Sequence, residues 1–170
     1  MLDFAADLRK TVSDAVRTLR GLSADAAARP LAPGKWSPKQ IIGHLIDSAS
    51  NNHQRFVRAQ FRDDLVFDGY AQDDWVRVQR YESADWLTLL DLWQAFNLHI
   101  AAVMDAVPDA VRLRPRPVHN LYRLAWETVP PEEPASLQYF MRDYVNHLRH
   151  HLRQIDPRLA AAPVLQRTRG

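Results

Sequence analysis

The sequence predicts an all-α four-helix bundle. Four long stretches repeat apolar residues at three- and four-residue spacing, no segment alternates in the manner of a strand, and the prolines gather between the periodic stretches. At 170 residues and 46% hydrophobic, the chain has material for one domain with a substantial core and too little for two. The bundle is expected over residues 1–156, with 157–170 a loosely packed or disordered tail, because Asp156-Pro157 ends the last periodic stretch.

The first helix runs from about Phe4 to Arg20 and lines up Phe4, Leu8, Val12, Ala15 and Leu19 between charged residues. Gly21 is a plausible stop, and the residues through Pro33-Gly34 favour a connection. The second helix has the best-marked start in the chain. Ser37 is the N-cap, Pro38 the first helical residue and Gln40 the third, which makes a capping box, and Trp36 with Ile41 makes a hydrophobic staple. This helix, to about Arg62, carries Ile42, Leu45, Ile46, Ala49, His53 and Phe56 on one face and His44, Asp47, Ser48, Asn51 and Arg55 on another.

A long connection from about Asp63 to Ser83 is aromatic and acidic, and long ordered connections are often functional. Ser83 is positioned to cap the third helix, whose stripe holds Trp86, Leu89, Leu90, Trp93, Phe96, Ile100 and Met104. Six prolines punctuate 108–134, an excursion for which Tyr122 and Trp126 are the expected apolar anchors. Ser136 opens the fourth helix, about Leu137 to Ile155.

That last helix contains the chemistry. His147 and His151 lie one turn apart, so their imidazoles can converge on a cation; His150 falls round toward the polar side as a bystander. The chain has no cysteine, which excludes disulfides, thiolate zinc ligands and a cysteine nucleophile. The only glutamates, Glu82, Glu127, Glu132 and Glu133, lie outside helix interiors, which excludes a carboxylate-bridged di-metal bundle. A mononuclear site needs a third ligand from another helix, and His44, His53 and His99 are the candidates. His53 sits in an apolar stripe, where a histidine is ordinarily a satisfied core or interface residue; His44 sits on a polar face, where the ordinary expectation is solvent. His99 and His119 read as surface and loop residues.

The stretch Gly34-Lys35-Trp36-Ser37-Pro38-Lys39-Gln40-Ile41-Ile42-Gly43-His44-Leu45-Ile46-Asp47-Ser48, followed by Asn146-His147-Leu148-Arg149-His150-His151-Leu152-Arg153-Gln154-Ile155, resembles the DinB-like superfamily of metal-dependent bundle proteins across residues 1–156. The resemblance implies a three-His site for one divalent metal ion, Zn, Ni or Fe, on His44, His147 and His151. It also implies activation of water, as in a hydrolase, or of a low-molecular-weight thiol cosubstrate, as in an S-transferase, acting on a small-molecule substrate. Asp47 and Arg55, which share the face of His44, are candidate catalytic, cleft-lining residues. The alternative is a non-catalytic metal-binding bundle, such as a stress-response homodimer.

Other classes find little support. The net charge is +2, and the basic clusters at Arg112, Arg114 and Arg116 and at Arg167 and Arg169 lack interleaved stacking aromatics, which argues against nucleic acid. There is no phosphate-binding glycine loop and no Gly-x-Ser-x-Gly elbow. An acidic N-terminus and the absence of an apolar run near 18 residues point to a cytoplasmic protein without a membrane segment. Homodimerisation is expected from the resemblance alone.

Overall fold

A computed structural model describes residues 1–160. Four long helices make an all-α bundle: α1 (Asp3–Leu19), α3 (Pro38–Arg58), α5 (Trp86–Ala106) and α8 (Leu137–Ile155). Short helices decorate the connections: α2 (Ala24–Ala28), α4 (Gln72–Gln79), α6 (Asp109–Arg112) and α7 (Leu121–Leu124).

α1 and α3 each pack against both α5 and α8, so α1 and α3 occupy opposite corners. Named contacts give the directions. Trp86 donates to the Leu19 carbonyl at 3.1 Å while Arg9 pairs with Asp105 at 2.8 Å, so α1 and α5 are antiparallel. Lys39 donates to the Ala84 carbonyl just before α5 and His53 meets His99 further along, so α3 and α5 are parallel. Arg142 with Asp3 and Arg149 with Asp7 make α8 parallel to α1. His44 meets His151 while Phe56 meets Phe140, which makes α8 antiparallel to α3. Two parallel, sequence-adjacent helices cannot be joined by a tight turn, and two helices at opposite corners need a crossing segment; hence the long connections.

The capping box at Ser37 is formed on both sides, and Ser136 caps α8 as its sequence suggests. At α5 the cap is Asp85, whose carboxylate accepts from the Thr88 amide at 2.8 Å; Ser83 belongs to the single 3-10 turn before it. The two long connections are stitched together. The Leu65 amide donates to Val118, the Asn120 amide donates to Leu65, and the Asn120 side chain repeats this pairing on the Phe67 backbone. Arg116 and Ala135 exchange backbone hydrogen bonds at 2.8 and 3.1 Å. The anchors of the 108–134 excursion are Leu121, Ala125 and Val129, all buried, whereas Tyr122 and Trp126 are exposed. Their aromatic size suggested burial, but Tyr122 lies on the outer side of the short α7 and Trp126 just beyond its end, while Leu121 and Ala125 take the inward positions.

The beginning of the expected tail is packed: residues 157–160 form a 3-10 turn and Leu159 is buried in the core. Residues 161–170 lie outside the described residues. α5 has the length and mean hydropathy, 1.2, of a spanning helix. Here it is a bundle helix, with Asp105 accepting from the Leu2 amide and pairing with Arg9.

Candidate metal centre

Two helices carry the centre. α3 brings His44 in its second turn and antiparallel α8 brings His147 and His151, one turn apart, in its C-terminal half, so three imidazoles meet in the α3–α8 groove. The Nε2 atoms of His44 and His147 are 3.4 Å apart, those of His147 and His151 3.1 Å apart, and one ligand atom from each ring lies within 4.8 Å of the others. His44 and His151 are buried and His147 nearly so.

Burial holds all three rings neutral. It pushes His44 down to about 3, with help from neighbouring His151, and His151 to about 4, with help from His150. His147 is lowered well below the ordinary histidine value by burial and then by the other three imidazoles around it. A neutral imidazole has one N–H and one lone pair. In His151, Nδ1 lies 3.3 Å from Gln154 Oε1, an acceptor, which assigns the proton to Nδ1 and leaves the Nε2 lone pair toward the cluster. His44 Nδ1 is buried without a partner. Three converging ring nitrogens that cannot all satisfy one another fit a divalent cation that takes nitrogen ligands.

Around the cluster the structure adds residues that spacing did not mark. Trp36 stands beside it, its ring 5.1 Å from His44 and 6.4 Å from His151. Trp126 lies on the bystander His150 at 4.1 Å and reaches His147 at 6.0 Å. The sequence marked Trp36 as half of a hydrophobic staple with Ile41 and not as a neighbour of the histidines, and nothing local in 108–134 pointed Trp126 to α8. What directs it is Asp143, whose two carboxylate oxygens accept the backbone amides of Trp126 and Glu127 at 2.8 and 2.7 Å.

A cavity of about 230 Å³ opens beside the histidines. α3 contributes His44, Ser48, Asn52 and Arg55, the first long connection Gly69, Tyr70 and Gln72, the excursion Arg123, Leu124 and Trp126, and α8 Phe140, Asp143, Tyr144 and His147. The supposedly water-facing side of α3 is therefore interior: His44, Asp47, Ser48 and Arg55 are all buried, because the 63–83 connection folds over them. Arg55 faces the cavity. Asp47 does not line it; its carboxylate accepts from Gln79 Nε2 at 2.6 Å and the Tyr81 hydroxyl at 2.7 Å, pinning that connection to α3, and burial raises its pKa.

The remaining histidines sit elsewhere. His53 and His99 face each other at 5.1 Å on the α3–α5 surface, beside Phe96. His119 is a loop residue as expected, but buried, with Nε2 donating to the Glu133 carbonyl at 2.7 Å and Nδ1 accepting from the Leu121 amide at 3.2 Å.

Fold and site together define a helical bundle with a buried three-histidine centre open to a polar cavity. The chain belongs to the DinB superfamily, whose family model matches residues 7–155. No curated protein matches it. Among solved structures it is similar to YfiT from Bacillus subtilis, described as "a probable metal-dependent hydrolase with an unusual four-helix bundle topology". That match has a TM-score of 0.73 and 21% identity, over 92% of this chain and 83% of that one. It is also similar to the mycothiol-dependent maleylpyruvate isomerase, with a TM-score of 0.65 and 10% identity, over 91% of this chain; it spans only 60% of that protein. At these identities the likeness establishes the fold.

Proposed function

We propose that this chain is a metal-dependent enzyme that holds one divalent ion, Zn, Ni or Fe, on His44, His147 and His151 and acts on a small molecule in the adjoining cavity. The observation that carries the reading is the convergence of three neutral imidazoles, two of which, His44 and His147, stand on the wall of that cavity. When bound, such an ion supplies Lewis acidity, lowering the pKa of water or of a thiol so that either becomes nucleophilic near neutral pH. Both hydrolysis and transfer to or from a low-molecular-weight thiol suit it. With no cysteine in the chain, any thiol enters as a cosubstrate.

The protein's own residues divide the remaining work. His44, His147 and His151 present lone pairs, Gln154 fixes the tautomer of His151, and the rings of Trp36 and Trp126 stand beside the cluster as apolar walls. Arg55 is the buried cavity-facing cation, and Asp47 is a positioning residue that holds the 63–83 connection in place. A non-catalytic metal site is ordinarily closed by its ligands; the cavity against His44 and His147 favours the catalytic reading.

Metal analysis of tag-free protein tests this. One equivalent of metal is expected in the wild type, lost in His147→Ala and His151→Ala and retained in His53→Ala. Unchanged metal content in the first two variants contradicts the site.

A further inference from the structure

We infer that the cavity beside the histidines takes a small molecule bearing a carboxylate, with Arg55 holding its charged end; the inference rests on the metal-centre reading for the other end of the ligand. Arg55 is only 7% exposed. Its guanidinium donates to the Asp68 backbone carbonyl at 2.6 Å and lies 3.5 Å from Asn52 Oδ1, and among the described residues it has no carboxylate ion pair. Buried arginines elsewhere are treated differently: Arg149 pairs with Asp7, and Arg112 with Asp109 at 2.7 Å. Arg116 also lacks a carboxylate, but it lies under the stitched connections, away from this cavity. The Asp68 carboxylate lends its field from nearby without a direct ion pair, and a buried cation whose direct partners are neutral dipoles remains costly unless something else supplies a close counter-charge.

The cavity's other charges point the same way. Arg123 is a second cation on its wall, and the one wall carboxylate, Asp143, has both oxygens on backbone amides. A divalent ion on the histidines adds further positive charge, so the occupant is anionic. Shape narrows it. His44, Ser48, Asn52 and Arg55 follow at spacings of four, four and three, forming one row along α3. The row covers about 16 Å of helix axis, and helical side chains lean toward the N-terminus, which brings the Arg55 head back toward His44. A volume of about 230 Å³ corresponds to roughly eight water molecules at ~30 Å³ each, hence on the order of ten non-hydrogen atoms. Between the charged ends, Ser48, Asn52 and Tyr70 offer neutral hydrogen-bonding groups. A planar guanidinium fork matches a carboxylate in two parallel hydrogen bonds.

Calorimetry on zinc-loaded protein, with zinc content measured on the same samples, tests the proposal using succinate, its neutral diamide and inorganic phosphate. Succinate is expected to bind at least tenfold more tightly than the diamide, to weaken at least tenfold in Arg55→Gln without loss of zinc, and to recover partly in Arg55→Lys. Equal binding of succinate and diamide to the wild type, which needs no variant to fold, overturns the proposal, as does unchanged affinity in Arg55→Gln. Phosphate binding more tightly than succinate overturns the carboxylate assignment. Wild-type protein that takes up no zinc defeats the metal reading instead, and the succinate and diamide comparison on that metal-free protein still reports on Arg55.

Discussion

At the scale of single residues, the centre is a set of bases kept from their protons. His44 and His151 are depressed to about 3 and about 4, and His147 is lowered as well, from an ordinary value of 6.5. In the unfolded chain the same rings take up protons near 6.5, so below that pH the unfolded state binds more protons than the folded one. The stability of metal-free protein is therefore fully present above about pH 6.5 and falls as the pH drops toward the folded values. For one such site the loss is about 2.5 kcal/mol at pH 4.5. Urea midpoints between pH 7 and 4.5 are expected to fall, and less steeply in His44→Ala; a flat profile contradicts the burial argument. His147 and His151 were legible from spacing because a four-residue step is a property of one helix. His44 was not, because its row of Asp47, Ser48 and Arg55 looks solvent-facing until a connection twenty residues on covers it.

At the scale of elements, α3 is tuned for what lies on it. A glycine inside a helix costs about 1 kcal/mol against alanine, yet Gly43 sits mid-helix beside His44. The reason is Tyr81: a Cβ at Gly43 would fall 2.1 Å from its ring. Tyr81 in turn donates to Asp47. Gly43→Ala is expected to destabilise the protein by about 1–3 kcal/mol in urea denaturation despite the better helix former, and to weaken metal retention by displacing the connection. A stabilised variant would mean that the ring has room to move. Long helices were legible because periodicity accumulates over several turns. The short helices α2, α4, α6 and α7 carry too few turns for a period, and the α5 cap was ambiguous because Ser83 and Asp85 are both cap-forming residues two positions apart.

At the scale of the whole molecule, the sequence specified a bundle but not its corners, since corner order depends on pairs such as Arg149 with Asp7 and Lys39 with Ala84 that lie far apart in the chain. The arrangement makes α3 and α8 antiparallel neighbours, so a cation on the histidines would cross-link them. An ion present at a hundred times its dissociation constant adds about 2.7 kcal/mol, equivalent to roughly 5–10 °C in a chain of this size. Adding zinc to metal-free protein is expected to raise the melting temperature by that amount, and EDTA to reverse it; His147→Ala should show neither. The most direct measurement is anomalous scattering at the metal's absorption edge from crystals of metal-loaded protein. A single peak about 2.0–2.1 Å from one nitrogen each of His44, His147 and His151 is the predicted result for zinc, and a peak elsewhere, or none between these three rings, contradicts the account.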